Sequence, residues 1–281
     1  MPDTGNWPVR ATGMGGGLRF VRLVPGRAGL LKLGGAAIAA ALLVRLLIAT
    51  PATASCSDVA APHVDWTGCS KSQLLLSSDD LTGGILNRVR LSATDLRGAK
   101  MDGVRMAEAE LTFTRLDGAK LKGADLTKAV GWRVTLNKAS LKEADLSMAQ
   151  IIRSSFEGAD LSHADLSKSE MNRSDFTGAD LTGANATKAE FARVVLTKAK
   201  VSGLDVSYSN LSRANLNGLD LAGVNVTGTY LYRTQIGGAD LTRTKGLKQE
   251  QVDLTCGNAQ TQLPSGLKAP KGWPCPAEEA E

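Results

Sequence analysis

Six arginines recur at intervals of twenty residues: Arg133, Arg153, Arg173, Arg193, Arg213 and Arg233. Trp132, Ile152, Tyr230 and Tyr232 stand beside them, and Phe113 takes the same place one interval earlier. A guanidinium group carries a permanent charge and a planar fork of donors, and aromatic rings add flat apolar area. Those residue types dominate binding hot spots, so the series is a candidate binding face for an anionic or protein partner. The plain structural alternative is a ladder of stacked guanidinium planes, partly neutralised by Glu170, Glu190 and Asp175 and screened by water and salt.

Other side chains point away from catalysis. The two histidines, His63 and His163, lie far apart in sequence, and there is no CxxC, HExxH, P-loop or GxSxG pattern. Acids are plentiful but ordered: Asp125, Asp145, Asp165 and Asp205 form one column, continued by Asn185 and Asn225. A short carboxylate or amide at a turn accepts hydrogen bonds from nearby backbone N–H groups, and that is the role expected here. Metal binding between stacked acids would want a distinctive ligand cluster, which is lacking. No catalytic, cofactor or metal site is therefore expected.

These columns need elements that place residues twenty apart side by side. Every fifth residue from Leu81 to Leu241 is large and apolar, except Gly131 and Ala186. Two places earlier sits a mostly small residue, such as Ala99, Ala124, Ala164 or Ala239. A period of five fits neither helix nor simple strand, and it predicts solenoid rungs that each bury two side chains and then turn. Two places after the large residue, Gly occupies 83, 103, 123, 183, 203 and 223, whereas the arginines occupy 133 to 233. Only a twenty-residue super-period separates the two sets, so four units should close one coil with four faces. Leu126, Leu146, Leu166 and Val206 should stack along one interior edge.

The units Ala124-Asp125-Leu126-Thr127-Lys128, Ala159-Asp160-Leu161-Ser162-His163 and Ala214-Asn215-Leu216-Asn217-Gly218 resemble the pentapeptide-repeat family. The resemblance implies an all-β fold, a right-handed quadrilateral parallel β-helix. It is nearly silent on function.

The phase extends back through Val64 and Trp66, Cys69 and Lys71, and Leu74 and Leu76 in successive small and large slots, with Lys71 breaking the pattern. Residues 55–80 are read as linker and imperfect first coil, and 81–245 as the β-helix. Centres from 66 to 241 make about nine coils, a stack about 40 Å long at one strand spacing per coil. Residues 246–281 are read as a cap with a short helix in Leu247–Leu254, then a tail whose Pro264, Pro270, Pro274 and Pro276 oppose regular structure.

Residues 1–54 do not repeat. Basic residues precede an apolar run, and Ala52-Thr53-Ala54 offers a cleavage site, the grammar of a signal peptide. A retained inner-membrane anchor over 33–50 is the alternative, and Arg45 counts against it. The net charge of +5 belongs to this leader, which has six basic residues and one acid. Of 33 basic residues 27 remain and of 28 acidic residues 27 remain, so the rest of the chain is neutral. That argues against a nucleic-acid partner. The cysteines flank the rungs, and local pairing of Cys56 with Cys69 and of Cys256 with Cys275 suits an exported chain. Cys69 as a buried free thiol is the alternative.

The expected function is an exported, non-enzymatic scaffold, periplasmic or extracellular, that meets an unknown protein or anionic envelope component. It needs no cofactor and touches a membrane only through an uncleaved leader. A DNA-mimicking topoisomerase modulator and a carbohydrate-active β-helix enzyme are the alternatives.

Overall fold

The computed structural model describes residues 55–275. The signal-peptide or anchor segment 1–54 and residues 276–281 lie outside them. Among the described residues no helix is long and apolar enough to cross a membrane.

A ladder of isolated parallel bridges joins each coil to the next. Asp65 pairs with Ile85, Asp125 with Asp145, Asp165 with Asn185 and Asn225 with Lys245, a constant shift of twenty residues. Among the described residues only β1 (Val130–Trp132) and β2 (Gln150–Ile152) lengthen the pairing into strands, parallel and in the same register. The large residues fill the interior: Leu126, Leu146 and Leu166 are fully buried, and Val206 nearly so. Phe156 and Phe176 stack in one interior column with centroids 4.6 Å apart, and Phe191 of the adjacent column lies 5.8 Å from Phe176.

The five-residue unit follows from the fate of its five backbone N–H groups. The small residue closes a turn onto the preceding large one, as in Val89 N to Leu86 O at 3.1 Å and Ala124 N to Leu121 O at 3.0 Å. Three others reach the neighbouring coils. Leu86 N donates to Arg105 O, Arg88 N to Ala107 O, and Arg90 N to Cys69 O. The fifth, just after the large residue, has no backbone acceptor in this scheme. A side chain supplies one, as in Thr127 N to Asp125 Oδ1, Ser147 N to Asp145 Oδ1 and Ser167 N to Asp165 Oδ1, at 2.8–2.9 Å. That is why the unit wants Asp or Asn before its large residue.

The same turn needs a positive φ at its third residue. Gly83 and Gly103 have φ of 65° and 63°, but Arg88, Phe113 and Lys128 adopt 57°, 60° and 56°. A left-handed conformation costs an ordinary residue roughly 1 kcal/mol. The fold therefore accepts many unbranched side chains at these corners and requires none beyond glycine.

The ends depart from the sequence expectation. Leu74, expected to point inward, is exposed, because the first coil has no complete neighbour to cover it. Lys71, expected to break the rung, is buried instead. Its ammonium donates to Asp58 O at 3.0 Å and lies 4.0 Å from the Trp66 ring centre. Burial lowers its pKa, against the opposing pull of Asp58. The aliphatic stem thus closes the core while the charge reaches the chain that precedes it. The Cys56–Cys69 disulfide fastens this end.

At the other end α1 (Gln249–Val252) occupies the middle of the expected cap helix, with Val252 fully buried. The ladder continues past residue 245. Gln235 pairs with Cys256 and Asp240 with Gln262, so the shift widens to 21 and then 22 as the cap is accommodated. The Cys256–Cys275 disulfide and the Trp273 indole, which donates to Thr255 O at 2.8 Å, hold the following segment against it. Gly257 is needed here, since a Cβ would lie 2.4 Å from the Trp273 ring.

Candidate binding face

The arginines all stand at corner positions, with φ between 51° and 61°. Their backbones are locked to the next coil: Arg173 N donates to Ala192 O, Arg193 N to Ser212 O, and Arg233 N to Leu254 O. Arg133, Arg153 and Arg173 are exposed, whereas Arg193, Arg213 and Arg233 are half-buried. The column is therefore continuous in space, one guanidinium per coil.

The neighbouring apolar groups gather at its two ends. Trp132 packs edge-on against Phe113, with centroids 5.2 Å apart, and the Arg133 guanidinium lies 4.3 Å from the Trp132 centre. Such contacts hold the ring and the charge as one unit. Ile152 is half-buried on the next coil. Tyr230 and Tyr232 stack in parallel 6.2 Å apart, both exposed by more than two fifths. Tyr232 and Arg233 then open into a concavity of about 250 Å3, lined also by Asp253, Leu254, Trp273 and Cys275.

This face gives up the device that supports the others. The residues before its large positions are Arg90, Glu110, Val130, Gln150, Glu170, Glu190, Asn210 and Tyr230. Only Asn210 is of the short type, and it accepts from Ser212 N at 3.0 Å. Asn172 serves one further amide from the previous coil, accepting from Ala192 N at 2.8 Å. Glu170 accepts from Gln150 Nε2 and Glu190 from Asn210 Nδ2. Asp175 accepts from Thr177 N and its hydroxyl.

The turns beneath the column are opened too. Val134 N donates to Ser154 Oγ and Ser154 N to Ser174 Oγ, each at 3.0 Å, in place of the usual turn bond. Gly131 sits in a large slot because Val134 fills the space. A Cβ there would lie 2.6 Å from Val134 Cγ2. Trp132 and Ile152 ride outward on this lengthened stretch. Sequence reasoning found the column but not the altered backbone under it. Its signal was the pair Gly131 and Val134, the first too small for a large slot and the second bulkier than the usual Ala of a small one.

Elsewhere the polar groups look structural. The Asp column performs the expected turn bonding, and its asparagines also link coils: Asn185 Nδ2 donates to Asp165 Oδ1 and Asn225 Nδ2 to Asp205 Oδ2. Burial pushes the Asp205 carboxyl up, but hydrogen bonds from Ser207 and Asn225, with Lys245 nearby, bring it below its ordinary value. Asp95 is held down to about 2, chiefly by the Arg97 side chain, whose Nε and Nη2 both reach it. The His163 ring covers Gly183, at a corner. Among the described residues no group of three or more His, Cys, Asp or Glu is placed to hold a metal ion.

Comparison with known proteins agrees with this architecture. Pentapeptide repeats are matched over residues 80–112, 90–127, 114–149, 139–178, 174–207 and 209–245, more than half of the chain. Similar solved structures include QnrB1, a plasmid-mediated fluoroquinolone resistance protein. It is 18% identical over 70% of this chain and 89% of that one, with a TM-score of 0.41. A pentapeptide repeat protein from the Arabidopsis thaliana thylakoid lumen is 30% identical over 37% of this chain and 74% of its own, with a TM-score of 0.34. A third, alr5209 from Nostoc Pcc 7120, is 25% identical over 39% and 84%, with a TM-score of 0.31. No curated protein matches.

Proposed function

The chain belongs to the pentapeptide-repeat family of right-handed β-helix solenoids, and we propose that it acts as an exported, non-enzymatic scaffold whose arginine–aromatic face binds a protein or polyanion of the bacterial envelope. One observation carries this reading. Along the arginine face the short Asp or Asn that serves the fold elsewhere is replaced in seven of eight units, and the arginines themselves occupy corners where glycine would do. Departures from the local rules of a repeat are expected at functional or strained sites.

Export is supported by the leader 1–54 and by the two disulfides, Cys56–Cys69 and Cys256–Cys275. Disulfides persist in oxidising compartments. Cleavage after Ala54 would release a neutral domain, so recognition rests on local charge and not on the whole field. N-terminal sequencing of protein from native cells tests it. A product beginning at Ser55 is expected, and a cytosolic product beginning at Met1 or Met14 would overturn it.

The binding reading is tested by replacing Arg133, Arg153 and Arg173 with Ser and capturing envelope components with parent and variant. The variant should keep its fold, lose the captured partner and lose the salt sensitivity of capture. A lowered melting temperature with unchanged capture would make the column a structural ladder.

A further inference from the structure

We propose that the interior of the last coils is a binding site for a small apolar molecule, entered through a gap between two coils on the face opposite the arginines. The proposal does not rest on the arginine face or on any partner of it.

The gap is a break in the ladder. Among the described residues, each residue before a large position from Asp65 to Asn225 pairs with its counterpart twenty residues on, save Lys200. Asp180 pairs with Lys200 and Asp220 with Asp240, but Lys200 and Asp220 do not pair. The N–H groups of Lys198, Val201, Gly203 and Asp220 reach no acceptor in the neighbouring coil. On either side the ladder is whole: Leu196 N donates to Asn215 O at 2.9 Å and Val206 N to Asn225 O at 3.0 Å. The break is therefore confined to one face of one junction between coils.

Side-chain size explains it. The small slot of this face holds Ala at 99, 119, 139, 159, 179, 199 and 239, but Leu at 219. Leu219 is buried and shares its coil with the large residues Leu216 and Leu221, so it props the two coils apart above Ala199. Leu204 also fills a small slot. There the adjoining large slots hold only Ala186 and Val206, and Asp205 N still donates to Ala184 O at 3.0 Å.

The interior behind the gap is loose. Ala199 and Leu216 keep 9% and 6% exposure, whereas Leu126 and Leu161 in the regular coils keep 0%. Val201, Val206 and Val226 occupy large slots that earlier coils mostly fill with Leu. A cavity of about 20 Å3 remains, lined among the described residues by aliphatic side chains alone, including Val201, Leu216, Leu221 and Leu247 of the cap. A water needs only about 10–15 Å3, but it also needs polar partners, and these walls offer none. A small apolar molecule, no larger than a dissolved gas, gains dispersion contact with the walls and forfeits no hydrogen bond. Parting the coils along the gap breaks no ladder bond, so entry lies where opening costs least.

Hydrogen exchange of the full chain tests the gap. The amides of Val201 and Asp220 should exchange at least about tenfold faster than those of Leu196 and Val206. Equal protection would overturn the proposal. Leu219→Ala should slow Val201 and Asp220 relative to Leu196 and Val206, because the coils can then close. Unchanged relative rates would overturn Leu219 as the wedge that makes the entry. Xenon, dissolved under pressure, probes the site itself. With leucine and valine methyls labelled with 13C, the signals of Val201, Leu216 and Leu221 should shift and saturate, while those of Leu126 and Leu146 stay in place. Val201→Leu restores the residue found at 121, 141, 161, 181 and 221. It fills the cavity and should abolish the shifts. No shift in the parent, or the same shifts in Val201→Leu, would overturn the proposal.

Discussion

The face built on Leu126, Leu146 and Leu166 and the face built on Leu111, Ile151 and Met171 share one backbone and treat it differently. On the first, Asp125, Asp145, Asp165 and Asn185 bend back to the amide two residues on. On the second the equivalent residues are Glu110, Gln150, Glu170 and Glu190, and two of the turns below are held by serine hydroxyls. Each coil of the first face is stabilised locally. The second face leans on its neighbours, and its outward side chains are left for other contacts. A surface that yields local stability while the fold remains intact is where binding chemistry has room to evolve.

The largest expected effect would test whether both faces hang on one core. Leu146→Asp puts an unpaired charge into the dry interior behind the first face, where Leu146 is fully buried. A loss of about 3–5 kcal/mol is expected in denaturant unfolding. A variant that melts like the parent would break the inward assignment, and the comparison of faces with it.

A matched pair sharpens the contrast directly. Asp165→Ala removes the acceptor of Ser167 N and of Asn185 Nδ2. It should cost about 1–3 kcal/mol, since a part-buried amide is left without its partner. Glu170→Ala, one face away, loses a long exposed contact to Gln150 and should change stability by no more than about 0.5 kcal/mol. Equal costs at the two positions would remove the distinction.

Acid offers a third test. Asp80, Asp95, Asp180, Asp205 and Asp240 all have pKa values below the ordinary carboxylate value, Asp95 down to about 2. Each sits before a large residue and accepts the amide two places on. A carboxyl with a depressed folded pKa contributes stability above its unfolded value, near 4. That contribution is lost as pH falls through the folded value. Thermal stability should therefore fall as pH drops from about 4 to about 2, and hydrogen exchange should rise first at the amides of Thr82, Arg97, Thr182, Ser207 and Thr242. Uniform exchange across all faces would contradict local capping by these acids.

The smallest effect concerns the corners. Arg173→Gly relieves a left-handed conformation (φ 61°) but adds freedom to the unfolded chain. The two changes should nearly cancel, leaving stability within about 1 kcal/mol while partner capture falls. Lys168→Gly, the matching corner of the other face (φ 58°), should leave both stability and capture unchanged. A clear loss of stability in Arg173→Gly alone would favour the guanidinium ladder.

Much of this was legible in the chain. The period of five, the inward Leu and Ala, the turn-bonding Asp column and the arginine series were read from spacing, because each depends on residues within a few positions or on a repeat that keeps its phase. The corner that carries either Gly or Arg was visible as a position, but its left-handed backbone was not. Lys71 read as a fault in the rung, and only its place at an open end, over Trp66 and under Asp58, makes it a plug.

What the sequence alone determined was which side chains face inward along the regular rungs from Leu81 to Leu241 and that four units make a coil, since a fixed period permits one alternation of inside and outside. The tertiary structure decided what the coils do for one another. Ala107 N takes its acceptor from Asn87, and Lys122 N from Asp102, each one coil away. The ladder runs on to Gln262 through a cap whose spacing no longer repeats. Val134 excludes a side chain at residue 131 and reshapes the turn beneath Trp132. The amide caps and the ladder join residues twenty or more positions apart through the stacking register, and a register exists only once the coils have closed.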